Sequence, residues 1–177
     1  MIRLPKKSVV DTNVPKTANL ALDPAMIPQE LTRCVLACIE AIDHVVKNGG
    51  LVIDADNEIF DEYRKNLSLK GQPGVGDHFM KWVHDNQWNF PVSDRVKITK
   101  NGESYEEFPE HEGLLNFDNS DRKFVAVANA HVAKPTIIQA MDSKWWGWQE
   151  ALAEVGINVQ FICPNYIKTK YDEKIGS

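Results

Sequence analysis

The sequence predicts an α/β protein, a three-layer α/β/α sandwich with a central, mainly parallel sheet and an added β-hairpin. Short apolar segments alternate with segments of helical periodicity, which is the order that produces parallel strands covered by helices. The 177 residues are 43% hydrophobic and 25% charged, which are ordinary globular values. This length suits one core, so we expect a single domain over residues 1–177.

The first elements are a strand, a loop and a long helix. Ser8 to Val10 is short and β-branched, so it predicts the first strand. Residues 17–28 contain two prolines and several turn formers, which favour a loop. Apolar residues then recur at helical spacing from Leu31 to Val46, and Gly49-Gly50 predicts the end of that helix.

The βα alternation continues in the middle of the chain. Leu51 to Ile53 predicts a second strand, and Asp54 to Lys70 predicts a helix. Glycine and proline interrupt the pattern at Gly71 to Gly76, and Val75 to Val83 then predicts a short helix.

A hairpin is predicted in an inserted region of about residues 92–110. The segments Val96 to Thr99 and Ser104 to Phe108 flank Asn101-Gly102, and Asn-Gly is the strongest short-range signal of a hairpin turn. The remaining predicted elements are a helix over 121–133, a strand over 136–141, a helix over 144–155 and a strand over 158–162. The final lysines, Lys168, Lys170 and Lys174, are expected in a solvated terminus, with a phosphate contact as the alternative.

Four carboxylates recur in one local setting, after an apolar strand or in the helix that follows. Asp11 and Asp142 follow predicted strands, whereas Glu62 and Asp121 belong to helical segments. The carboxyl ends of parallel strands meet at one edge of a sheet, so these acids are expected to converge. Converged carboxylates repel one another unless a cation lies among them, and oxygen ligands favour Mg²⁺ or Mn²⁺. The pattern indicates metal-assisted phosphodiester chemistry.

These segments together resemble the PIN domain, a family of metal-dependent nucleases. The similarity covers nearly the whole chain and keeps the order of the four acids. It rests on Val9-Val10-Asp11-Thr12-Asn13, Glu62-Tyr63 with Leu67, Asp121-Arg122-Lys123-Phe124-Val125-Ala126, and Met141-Asp142 before a helix, Gly156-Ile157 and a last strand. The stretch 69–116 is longer than compact members of the family need.

The resemblance implies a metal-dependent endoribonuclease with a catalytic site made of four acids and two polar residues. Asp11, Glu62, Asp121 and Asp142 would hold one or two Mg²⁺ or Mn²⁺ ions, which activate water and stabilise phosphoryl charge. Asn13, with Thr12, would orient the Asp11 carboxylate. The first and fourth main strands would lie side by side, and the products would carry a 5′-phosphate and a 3′-hydroxyl.

Several alternatives stay open at this point. Glu58 and Asp118 lie close to Glu62 and Asp121 in sequence and compete with them as ligands. Each acid alone can also be a helix cap or a turn residue. An interaction or regulatory module with the same fold, and a structure-selective DNA nuclease, are the competing functions.

The implied partners are an RNA substrate, a protein inhibitor or antitoxin, and a second copy in a homodimer. Small members of the family include toxins and phage-defence effectors as well as RNA-processing enzymes, and the sequence does not choose among these roles.

Charge, cysteines and hydropathy add further expectations. The formal charge is -5, but the charges nearly balance without the four site acids, so a nucleic-acid substrate is not excluded. An odd count of cysteines, with Cys34 and Cys38 spaced i, i+4, predicts free core thiols. No apolar run is long enough to span a bilayer and no signal peptide is recognised, so we expect a cytoplasmic protein without membrane contact. Among the tryptophans, Trp146 is predicted to be the exposed ring.

Overall fold

The computed structural model describes residues 2–175, and within them it has seven strands, seven α-helices and seven short 3₁₀ helices. Met1, Gly176 and Ser177, the ends of the predicted domain, lie outside the described residues. The strands are β1 Ser8–Val10, β2 Ile53–Asp54, β3 Arg95–Val96, β4 Lys100–Asn101, β5 Ser104–Tyr105, β6 Thr136–Gln139 and β7 Val159–Phe161. The helices are α1 Asn13–Ala18, α2 Thr32–Asn48, α3 Glu58–Asn66, α4 Val75–Asn86, α5 Arg122–Ala130, α6 Lys144–Glu154 and α7 Pro164–Ile175.

The strands outside the hairpin pair in parallel. β1 pairs with β6, and β6 pairs with β7, both in parallel. β2 pairs in parallel with β3, and a parallel bridge between Ser8 and Leu51 joins β1 to the segment that leads into β2. The predicted α/β class with a mainly parallel sheet is confirmed.

The central strands are buried on both faces. Val9 and Val10 of β1 and Ile137 and Ile138 of β6 are at most 1% exposed. Strands of this kind are covered by helices, and α5 contacts both β1 and β6. Five consecutive residues of α5, Phe124 to Ala128, are buried, so this stretch of the helix is enclosed on all sides.

Two glycines fix the passage from α2 to the sheet, as the sequence predicted. Gly49 caps α2 with φ of 70°, and Gly50 follows with φ of 82°. A Cβ atom on Gly50 would lie 1.9 Å from the backbone oxygen of Lys6, so the close approach of the two chain segments requires glycine there.

Several predicted boundaries differ from the structure. The helix expected over Asp54 to Lys70 is α3, which is shorter at both ends. Asp54 ends β2 instead, and its carboxylate accepts the backbone N–H groups of Glu58 and Ile59 at the start of α3. Val96 lies in β3 rather than in the hairpin, which is reduced to β4 and β5 around Gly102.

The C-terminal lysines are at the solvated surface, as expected, with Lys168 and Lys174 exposed and Lys170 partly exposed, but the segment that carries them is a helix that was not predicted. They lie on α7, where Ile167 is fully buried and Lys174 Nζ donates to Ser143 Oγ at 2.8 Å. Among residues 2–175, no helix is both long and apolar enough to cross a membrane.

The prediction of three free cysteines is wrong for two of them. Cys34 of α2 and Cys163 form a disulfide that joins residues 129 positions apart, with 5.3 Å between their Cα atoms. Cys38 remains a buried thiol. Burial raises the pKa of Cys38 to about 12, against a hydrogen bond with Thr17 that lowers it.

Candidate metal centre

The four acids of interest come from four separate segments that the fold brings to one edge of the sheet. Asp11 directly follows β1, and Asp142 lies three residues beyond the end of β6. Because β1 and β6 are parallel neighbours, both chain segments leave the sheet at the same edge. Asp121 immediately precedes α5 and Glu62 lies in α3, and these two helices contact each other.

Asp11 is the most enclosed of the acids, with 2% of its surface exposed. Burial raises the pKa of Asp11 well above its ordinary value, and the charges of Asp121, Glu62 and Asp142 raise it further. The backbone N–H of Asn13 donates to Asp11 Oδ1 at 2.8 Å and acts in the opposite direction. The site therefore disfavours a bare negative charge on Asp11.

The pKa of Asp121 is also raised by the neighbouring acids. Burial raises the pKa of Asp121 to about 6, and the charges of Asp142 and Glu62 act in the same direction. The indole Nε1–H of Trp145 donates to Asp121 Oδ2 at 3.1 Å and lowers the pKa. The mutual repulsion defines a carboxylate cluster, which consists of Asp11, Glu62, Asp121 and Asp142.

Glu62 is anchored by two side chains from different parts of the fold. Thr12 Oγ1 donates to Glu62 Oε1 at 2.9 Å. Lys123 Nζ, from the first turn of α5, forms an ion pair with Glu62 Oε2. The two polar residues predicted to orient Asp11 therefore act on different acids, since Asn13 holds Asp11 through its backbone N–H and the Thr12 hydroxyl orients Glu62.

Asp142 combines a place in the cluster with a role at the start of α6. Its Oδ1 accepts the backbone N–H of Lys144 at 3.0 Å, so the capping alternative is correct for one of its oxygens. The charge of Asp142 still raises the pKa of both Asp11 and Asp121. Asp121 precedes α5 without a side-chain hydrogen bond to that helix, so the capping alternative does not describe it.

The competing acids are held by cations and hydroxyls near the edge of the cluster. Glu58 pairs with Lys100 at 3.1 Å and accepts the Tyr105 hydroxyl at 3.1 Å, so it faces the hairpin. Asp118 pairs with Lys144 at 3.0 Å, and this contact lowers the pKa of Asp118. Both charges are partly neutralised by neighbours, in contrast to those of Asp11 and Asp121.

The spacing of the carboxylates bears on which cation fits them. Within residues 2–175, three cysteines are the only group of three metal-binding side chains whose ligand atoms all lie within 4.8 Å of one another. The carboxylate cluster is therefore wider than a fully dehydrated site. Mg²⁺ keeps several of its waters and binds through one or two carboxylates, so a site for Mg²⁺ does not require three carboxylates this close together.

A cleft of about 310 Å³ lies beside the cluster and is partly walled by the hairpin. Lys100 and Tyr105 of the hairpin line it, together with Glu58 and Asn119. Lys123 also lines this cleft while it pairs with Glu62, so one lysine connects the cleft with the carboxylate cluster.

Sequence reasoning did not identify Lys123 and Trp145 as parts of the site. Lys123 lies two residues after the candidate acid Asp121, and this closeness was the sequence signal that could have indicated a role in the site. Trp145 is fully buried in the core, and no feature of the sequence indicated its hydrogen bond to Asp121. The expectation for Trp146 is wrong: it packs half-buried against Phe161, and Trp88 is 67% exposed.

Comparisons of the chain with protein-family models, with curated proteins and with solved structures find no match.

Proposed function

We propose that this chain is a PIN-like, metal-dependent endoribonuclease whose carboxylate cluster holds Mg²⁺ or Mn²⁺ in a three-layer α/β/α sandwich. One observation carries the proposal: Asp11 is almost fully buried among three other acids that come from separate segments of the chain. Structural ion pairs usually match opposite charges, whereas this cluster gathers like charges in a protected place.

The charge balance supports a cation as the missing partner. Lys123 supplies one positive charge and contacts only Glu62 of the four acids. Burial and neighbouring acids raise the pKa values of Asp11 and Asp121, so the folded protein favours neutralisation of both carboxylates by protons. A divalent ion would restore ionised carboxylates at neutral pH, because opposite charge favours the charged form.

The chain's own residues supply orientation for this chemistry. A bound divalent cation would provide Lewis-acid activation of water and charge stabilisation at a phosphoryl group. The Asn13 N–H, the Thr12 hydroxyl and the Trp145 indole each fix one oxygen of a different carboxylate. Ligands that are held in this way keep their positions when substrate enters.

A single-stranded RNA is the substrate class that best suits the surroundings. Lys100 and Lys123 line the cleft beside the cluster, and on binding RNA they would exchange their contacts with Glu58 and Glu62 for contacts with successive phosphates. The hairpin forms part of the wall of this cleft, and a flexible strand follows such a wall more readily than a stiff duplex. The proposed biological setting is that of a toxin or defence effector, with an inhibitor or antitoxin as its partner.

The test is cleavage of single-stranded RNA, duplex RNA and branched DNA by the purified chain, with Mg²⁺, with Mn²⁺ and with a chelator. Asp11→Asn should lose nearly all activity, because the amide keeps the shape and loses the charge that holds a cation. Asp56→Asn is the matched control, since Asp56 is an exposed acid that pairs with Lys97. Its activity should equal that of the wild type.

Three other outcomes would contradict parts of the proposal. Full activity in Asp11→Asn contradicts the mechanism. Faster cleavage of branched DNA favours the structure-selective nuclease, and an inactive wild type on every substrate favours the interaction module. Glu58→Gln and Asp118→Asn should be milder than Glu62→Gln and Asp121→Asn, because Glu58 and Asp118 are held by lysines at the edge of the cluster.

A further inference from the structure

We propose that Cys34, Cys38 and Cys163, when reduced, form a three-thiolate site for the soft cation Cu(I). The disulfide between Cys34 and Cys163 is then the oxidised, cation-free form of the same site. This inference does not rest on the proposed nuclease function.

The three sulfurs are already gathered in one buried place. Cys34 and Cys38 lie one turn apart on the same face of α2, and Cys163 comes from the junction between β7 and α7. All three sulfur atoms lie within 4.8 Å of one another, and each residue is at most 6% exposed. Metal–thiolate bonds of about 2.3 Å place the sulfurs of one site roughly 4 Å apart. Only the disulfide has to open for the trio to reach such a spacing.

The donor set points to Cu(I) rather than to Zn²⁺. Thiolates are soft ligands, which select Cu(I) and Zn²⁺ over the hard cations that carboxylates bind. Structural Zn²⁺ requires four ligands. In the described part of the chain, no His, Asp or Glu joins the three sulfurs within the same distance. An all-sulfur set of three ligands therefore suits the three-coordinate cation better.

Access and charge also fit this assignment. A cleft of about 290 Å³ is lined by both Cys34 and Cys163, so a cation or a reductant can reach the disulfide. Arg33 and Glu30 both line this cleft, so its charged side chains add no net charge beside the thiolates. Cys163 directly precedes the first residue of α7, a helix of 12 residues, and a helix N-terminus favours a thiolate.

The reduction of the disulfide is a balanced reaction when a phosphine is the reductant. One phosphine and one water convert the disulfide into two thiols and a phosphine oxide, so two electrons pass from phosphorus to sulfur. Cu(I) then replaces one proton on each of the three thiols and keeps its oxidation state. The oxidised chain offers a single thiol and binds no cation at this place.

The experiment uses the full chain without oxygen. The protein is reduced with a water-soluble phosphine, freed of the reagent, and titrated with Cu(I) against a chromophoric Cu(I) chelator. We expect one Cu(I) per reduced chain and none per oxidised chain. Cys38→Ser, which keeps the disulfide pair and removes the third ligand, should weaken binding at least tenfold.

X-ray absorption at the copper edge then counts the sulfur ligands in the wild type and needs no variant to fold. Three sulfurs support the site, and two sulfurs overturn it. The absence of stoichiometric binding to the reduced chain overturns it as well, and so does equal affinity in a folded Cys38→Ser variant. Retention of Zn²⁺ against one equivalent of Cu(I) overturns the choice of cation.

Discussion

Replacement of Asp121 by asparagine should stabilise the metal-free protein while it removes nuclease activity. Asp121 is unfavourable in the folded state because burial and three neighbouring acids, Asp142, Glu62 and Asp118, raise its pKa from 3.8 to about 6. That displacement corresponds to about 3 kcal/mol, and partial exposure of the residue reduces the expected gain to about 2 kcal/mol. For a chain of this size, the melting temperature should rise by roughly 4–8 °C.

The sign of the pH dependence follows from the raised pKa. Above about pH 6, folded Asp121 is ionised and the wild type carries the full penalty. Between about pH 6 and pH 4, the folded state binds a proton that the unfolded state does not, so the penalty decreases as pH falls. Asp121→Asn should therefore exceed the wild type in stability at about pH 7 and equal it near pH 4.

The assay is thermal and urea unfolding at both pH values in the presence of a chelator. Asp118→Asn is the matched control, because the Lys144 contact lowers the pKa of Asp118 and its neutralisation should not stabilise the protein at neutral pH. Added Mg²⁺ should raise the melting temperature of the wild type more than that of Asp121→Asn. If Asp121→Asn is no more stable than the wild type at about pH 7, or if its gain in stability persists at low pH, the Asp121 charge does not destabilise the folded protein.

Three further perturbations test other contacts. Lys123→Gln should lower the melting temperature of the metal-free protein and increase the stabilisation by Mg²⁺, because Lys123 and the cation compete for Glu62. Equal increases of the melting temperature with Mg²⁺ in the variant and the wild type contradict this competition. Tyr63→Phe should cost about 1 kcal/mol in urea unfolding, because the Tyr63 hydroxyl donates to the Val10 oxygen at 2.6 Å in the core, and an unchanged midpoint contradicts that role. Cys163→Ser should lower the free energy of unfolding by about 2–4 kcal/mol under oxidising conditions and by less under reducing conditions, because the lost disulfide closes a long loop. Equal losses under both conditions would show that the disulfide is not the cause.

Local sequence was informative where a strand or helix is specified by its own residues. The apolar segments before Asp11 and Asp142 predicted β1 and β6, and parallel pairing of these strands accounts for the common edge at which the two acids lie. The end of α2 was predictable because both positions, Gly49 and Gly50, have a positive φ, which glycine adopts most readily.

Long-range contacts account for most of the differences between prediction and structure. The alternation around Val96 indicated a strand but not its partner, and the partner is β2 rather than the hairpin. The pairing of Cys34 with Cys163 spans most of the chain and leaves no local signal. Helix α7 was missed because its polar sequence buries little besides Ile167.

The site shows the same division. The order of the four acids was readable, whereas the ion pair between Lys123 and Glu62 joins residues 61 positions apart and depends on the contact between α3 and α5. The bond from Thr12 to Glu62 likewise depends on how α3 lies against the end of β1. Sequence order therefore indicated which acids to consider, and packing determines which groups hold them.

Calorimetric titration of Mn²⁺ into the wild-type chain near pH 6, in two buffers of different ionisation enthalpy, measures whether the carboxylate cluster binds a divalent cation. We expect Mn²⁺ binding to release protons, because the pKa of Asp121 is about 6 and the pKa of Asp11 is raised. Binding should be lost in Asp11→Asn and kept in Asp56→Asn. Absence of binding by the wild type, or equal binding by Asp11→Asn, would contradict a metal centre at the carboxylate cluster.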